Sequence, residues 1–166
     1  LGIAASLSFL LMMFNVPIPG GTTAHAVGGV LLSILIGPYA ASLALTVALL
    51  LQALLFGDGG ILALGANIFN MAIAMPFVGY AVYNFFRKQN HETAGVLVGS
   101  YVGINVAAFL TAIELGIQPI IATQGGEPLY NPYGLAVTIP AMMVTHLTIA
   151  GAVEVFFTYV IYRFVK

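Results

Sequence analysis

The sequence predicts an all-α, polytopic membrane helix bundle, and three observations predict it. Of the 166 residues, 61% are hydrophobic and only 5% are charged. A soluble domain carries roughly 25% charged residues, so this chain has too few to cover a surface that faces water. Its apolar residues fall into runs close to the ~20 residues that a bilayer crossing needs. Those runs stop at glycine and proline clusters, which are helix boundaries. Residues 1–166 read as one integral membrane domain in a lipid bilayer.

The elements follow in order. Leu1 to Val16 is apolar and slightly short for a span. It opens already inside an apolar run, so the domain reads as N-terminally incomplete. Pro17 to His25 is a turn-rich loop, and the stretch from Ile18 to Gly29 is small, polar and glycine-rich. Val27 to Ile36 is half a span and ends at Gly37-Pro38. It fits a re-entrant or short helix, whose irregular flanks must be buried in protein or line a cavity. Tyr39 to Phe56 is a full span, stopped by Gly57-Asp58-Gly59-Gly60, and Ile61 to Leu64 is a single turn. Ala66 to Phe86 spans again, with a kink expected at Pro76. Arg87 to Glu92 is a polar turn. Thr93 to Leu115 spans, and its glycines at 95, 99 and 103 form a four-residue stripe that lets helices approach closely. A long loop is expected from Gly116 to Gly134, with Pro119, Pro128 and Pro132 inside it. Leu135 to Tyr162 is the last span, with Pro140 near its start.

Orientation comes from the four cations, Arg87, Lys88, Arg163 and Lys166. Both pairs sit at span ends, and the positive-inside rule places both in the cytoplasm. Counting spans backward and forward then puts three loops together on the outer face. They are the His25 loop, the Gly57–Gly60 loop and the Gly116–Gly134 loop.

Several function classes drop out. A net charge of -1 leaves no basic patch for nucleic acid. With no cysteine there is no disulfide, thiolate metal site or cysteine nucleophile. The sequence carries no GxxxxGK[ST], GxSxG or HExxH motif and no carboxylate pair spaced for acid–base work. An enzymatic role is therefore not expected.

The polar residues inside the apolar runs are few. His25 reads either as a hydrogen-bonded loop residue or as a metal ligand. Glu114 lies near the outer end of its span, with Gln118 four residues on, and either reaches interfacial water or serves a site. His146 and Glu154 are eight apart on the last span, and helix packing is their simpler reading. Asn67 and Asn70 share a face at the outer end of their helix, and Gln52 and Asn15 lie near outer span ends. Amides bind transition metals poorly and serve better as hydrogen-bond partners that orient a ligand.

Three blocks carry a family resemblance. Gln52-Ala53-Leu54-Leu55-Phe56-Gly57-Asp58-Gly59-Gly60, Leu64-Gly65-Ala66-Asn67-Ile68-Phe69-Asn70-Met71-Ala72 and Pro76-Phe77-Val78-Gly79-Tyr80 resemble the signature of the CbiM/NikM family. These are substrate-binding membrane (S) components of energy-coupling-factor transporters for cobalt and nickel. Thr22-Thr23-Ala24-His25-Ala26-Val27-Gly28-Gly29 is similar to the family's Ser/Thr-x-His-x-x-Gly loop. Glu114 to Pro119, Pro128 to Tyr133, and His146 to Gly151 with Glu154 and Thr158 resemble its nickel branch.

The resemblance implies a bundle of six or seven transmembrane helices, the first missing here, in a prokaryotic cell membrane. It implies that Ni2+ or Co2+ is captured as substrate, with no cofactor. In the family the metal sits in a square-planar nitrogen set. An N-terminal Met-His segment supplies the terminal amine, a backbone nitrogen and one imidazole, and the second imidazole maps to His25. A tetragonal nitrogen set suits Ni(II) best. Asn67, Asn70 and Thr23 are expected around the cavity, with Gln52, His146 and Glu114 as further candidates. The implied partners are a transmembrane coupling subunit and cytoplasmic ATPase subunits, often with a small extra membrane subunit. The alternatives are a vitamin-binding component of the same transporter class and a structural membrane subunit that binds nothing.

Overall fold

The computed structural model describes residues 1–14, 16–18 and 22–166, with the backbone alone described at 16–18 and 22–24. Six helices are present among the described residues. They are α1 (Gly2–Met13), α2 (Gly29–Ile36), α3 (Pro38–Phe56), α4 (Leu64–Arg87), α5 (Glu92–Ile121) and α6 (Leu135–Val165). The last four are each long and apolar enough to cross a membrane. Their outward apolar side chains stay uncovered by protein: Leu55 is 70% exposed and Phe156 61%. In water such a surface is untenable; against lipid it is solvated.

The half-span is real and short. At 1.5 Å per residue, α2 rises about 12 Å, well under half of a ~30 Å hydrocarbon core. Its first residues are buried inside the bundle. Pro38 starts α3 in the first turn, where its missing N–H forfeits no hydrogen bond. Gly57 stops that helix with a φ of +70°.

Three helices contain wide π turns, at Gln52–Phe56, Ile68–Ala74 and His146–Ala150. The one in α4 ends two residues before Pro76. Proline cannot donate to the carbonyl four residues back, and the widened turn takes up that local break within a continuous helix.

The glycine stripe works as its spacing predicts. A Cβ built on Gly95 would lie 2.8 Å from the Tyr83 carbonyl oxygen, and one on Gly99 would lie 2.8 Å from that of Gly79. Helices α4 and α5 therefore touch backbone to backbone.

Two expectations need correction. Helix α5 does not end at Leu115 but runs to Ile121, so the outer loop starts at Ala122 rather than Gly116. Pro119 lies inside the helix and leaves the Leu115 carbonyl without its helical donor. Asn131 Nδ2 supplies that donor at 2.8 Å, so the returning loop caps the break. Nor are the turn-rich loop expected at Pro17 to His25 and the long loop expected after α5 without regular structure. Strands β1 (Val16–Ile18) and β2 (Thr22–Ala24) pair antiparallel, as do β3 (Thr123–Gln124) and β4 (Glu127–Pro128). Gly125 and Gly126 join the second pair with φ of +63° and +89°, the positive values that a tight two-residue hairpin demands.

The two cation pairs meet at one end of the bundle. Glu92, at the start of α5, accepts from Lys166 and from the Tyr83 hydroxyl at 2.6 Å. That bond to Glu92 holds the Lys166 ammonium above the usual lysine range.

Candidate metal centre

The loop that carries His25 is pinned where it enters α2. The Val27 amide donates to Glu154 Oε2 at 2.7 Å, and the Gly28 amide donates to Glu154 Oε1 at 3.1 Å. On the other side, Ser8 Oγ of α1 donates to the Val27 carbonyl at 2.7 Å. Gly28 adopts φ +73°, and a Cβ there would stand 2.7 Å from Leu11 Cδ1. Only glycine meets both conditions without strain. The free amides at a helix start must find acceptors. Here the acceptor is a fully buried carboxylate from α6.

His25 itself is half-buried, with Nδ1 at a long 3.4 Å from the Ala26 carbonyl. It lies between two cavities. The smaller, about 40 Å³, is lined by His25, Met12, Gln52, Asp58, Gly59 and Asn67, among others. The larger, about 170 Å³, is lined by His25, Asn67, Met71, Thr111, Met142 and His146, among others. So a second imidazole shares a cavity with the first. His146 Nδ1 is 2.8 Å from the Met142 carbonyl, which can only accept. With the proton on Nδ1 this contact is a hydrogen bond, and that tautomer leaves Nε2 the lone pair that a metal or donor needs.

A family model described as the cobalt uptake substrate-specific transmembrane region, CbiM, matches residues 1–166. The chain belongs to the CbiM family. It is 68% identical to the probable fused nickel transport protein LarMN of Lactiplantibacillus plantarum, over all of this chain and 51% of that protein. It is 51% identical to the fused nickel transport protein NikMN of Rhodobacter capsulatus, over 92% of this chain and 46% of that one. A crystal structure described as a truncated transition metal transporter superposes with a TM-score of 0.91 at 57% identity. It matches 99% of this chain and 78% of its own. The chain thus spans about half the length of the fused relatives, and it is a multi-pass membrane protein.

In this CbiM chain the polar candidates divide into three groups. Asn67, Gln52 and His146 share cavities with His25. Asn67 is not bonded to the imidazole; its Nδ2 donates to the Gly59 carbonyl at 3.1 Å and braces the Gly57–Gly60 loop. Gln52 is buried, and among the described residues its Nε2 has no hydrogen-bond partner. Asn70 and Glu114 form the second group. Asn70 Nδ2 donates to Glu114 Oε2 at 2.6 Å and to Thr111 Oγ1 at 3.0 Å, which ties α4 to α5. Glu114 lines a separate outer cavity of about 490 Å³ with Gln118, Tyr130 and Asn131. That cavity shares Asn67 and Thr111 with the larger His25 cavity. Third, the Thr23 side chain and Asn15 lie outside the described residues; the Thr23 backbone pairs with Pro17.

Sequence reasoning passed over Glu154 as a packing residue. The signal for it was nonetheless there. A carboxylate deep in a span with no lysine or arginine nearby in sequence must be satisfied by N–H donors. The start of a half-span helix inside the bundle is where such donors are free.

Proposed function

We propose that this chain captures Ni2+ or Co2+ from outside the cell as the substrate-specific membrane subunit of an energy-coupling-factor importer. His25 is the metal ligand that the chain supplies. The observation that carries this reading is an imidazole held on a doubly anchored loop beside two small cavities. Among the described residues, no three His, Cys, Asp or Glu side chains gather to hold a metal. The remaining donors are the nitrogens of an N-terminal Met-His segment, as the family resemblance implies. Asn67 and Gln52 orient whatever enters, and His146 lines the same cavity as His25. Asn70 and Glu114 shape the approach, and Thr23, inside the His25 loop, belongs to the cavity set that the resemblance implies.

The size of the two spaces that His25 itself lines supports a metal over a vitamin. The two spaces beside His25 measure about 40 and 170 Å³. Pockets for drug-sized organic ligands run from ~300 to ~1,000 Å³. The fused relatives named for nickel transport, and the family's description as a cobalt uptake region, support the same class of cargo. The subunit performs no reaction on its cargo. Energy for import comes from partners, a transmembrane coupling subunit and cytoplasmic ATPases, often with a small additional membrane subunit.

Calorimetric titration of the full-length protein with Ni(II) and Co(II) tests this. Wild type binds one ion tightly, and His25→Ala does not. Tight one-to-one binding that His25→Ala leaves unchanged would overturn the assignment.

A further inference from the structure

We infer that Glu154 is a positioning residue for the metal site: it latches the His25 loop onto the last helix and so sets where the His25 ring stands. The inference rests on the reading of His25 as a ligand. Its geometric basis is independent of any metal.

Glu154 is 0% exposed and its partners are backbone amides, Val27 at 2.7 Å and Gly28 at 3.1 Å and 3.3 Å to the two oxygens. Thr158, one turn on in α6, lies 3.5 Å from Oε1. Val27 is two residues from His25, within about 8 Å along the chain. The Val27 peptide is held at both ends, its N–H by Glu154 and its C=O by Ser8. The imidazole therefore hangs from a fixed peptide, although its own contact at 3.4 Å is weak. Fixing a ligand through its neighbours matters because a tetragonal site tolerates little displacement of a donor.

The chemistry also says which replacements fail. Glutamine keeps the shape but presents an NH2 where one of two amides needs an acceptor. Aspartate keeps the charge but is one methylene too short to reach both.

The test uses full-length protein in detergent, with wild type, His25→Ala, Glu154→Gln and Glu154→Asp compared. Two quantities are read on the folded fraction, Ni(II) affinity and the ligand-field absorption of bound Ni(II). Expected are loss of tight binding in His25→Ala and a 10–100-fold weakening in both Glu154 variants, the cost typical of lost support to a ligand. The Ni(II) band should also shift in the Glu154 variants. A role in stability alone would lower the folded fraction and leave affinity and band unchanged, and that outcome overturns the latch. If His25→Ala binds like wild type, the ligand assignment itself is wrong. Should both Glu154 variants fail to fold, amide exchange in wild type decides. Slow exchange at Val27 and Gly28 supports the latch, and exchange as fast as in open loops overturns it.

Discussion

Replacing Gly99 by alanine sets two effects of known sign against each other. In a helix interior alanine is favoured over glycine by ~0.8–1 kcal/mol. The new Cβ, however, would stand 2.8 Å from the Gly79 carbonyl oxygen. Comfortable contact begins near ~3.5 Å, so α4 and α5 must part by roughly 0.7 Å. The obstacle is backbone, which cannot rotate aside, and forced overpacking costs about 1–3 kcal/mol. The net is a loss of up to about 2 kcal/mol. Gly65 provides the control: it is also helical, but a Cβ there meets nothing within 4 Å. Gly65→Ala, at the second residue of its helix, should therefore gain less than the ~1 kcal/mol of an interior site. The gap between the two variants is then a lower bound on the packing term. At 2–4 °C per kcal/mol for a chain of this size, that term amounts to about 2–12 °C in midpoint. Melts of the two variants in one detergent, followed by circular dichroism, measure it. Equal midpoints would refute backbone contact as the reason for the glycine stripe.

Asn131→Ala should leave the Leu115 carbonyl uncapped and cost about 1 kcal/mol, read as faster amide exchange around Pro119 and in the 122–134 loop. Wild-type exchange there would mean that water serves the carbonyl as well as the amide does. Orientation is open to cysteine labelling of intact cells. Asp58→Cys should react with an impermeant reagent from outside, while Arg87→Cys and Lys166→Cys should both be protected. Labelling of Asp58→Cys and Arg87→Cys from the same side would break the assigned topology.

What the sequence made legible was whatever depends on runs and periods. Span lengths located α3, α4 and α6, and the half-length of 27–36 marked α2 as an internal helix. The four-residue glycine spacing announced a close helix contact, though not that α4 would be the partner at Gly95 and Gly99. Two cation pairs foretold that Arg87 and Lys166 end on one side, and the structure brings Lys166 onto Glu92 there. Asn67, Gln52 and His146 were picked out by their polarity inside apolar runs and by the family resemblance, and all three reach a cavity lined by His25. Contacts between distant segments were not legible. Proline at 119 read as a helix end because its lost hydrogen bond is local, whereas its repair by Asn131 comes from twelve residues away. Asn70 shares a helical face with Asn67, but its partners, Thr111 and Glu114, belong to a helix that only packing brings near. The grip of Glu154 on Val27 and Gly28 is less visible still, because its partners are backbone amides 127 and 126 positions away and leave no side-chain signature. The π turns left no signal in composition or spacing.

X-ray absorption on the Ni(II)-loaded full-length protein tests the central claim, that His25 binds the metal directly. A coordination shell of nitrogen donors with imidazole scattering is expected in wild type, and the Ni(II) that His25→Ala still holds weakly at high concentration should show one ring fewer. An unchanged imidazole count in His25→Ala, or a sulfur shell from the thioethers of Met71 and Met142 in the same cavity, would contradict the account.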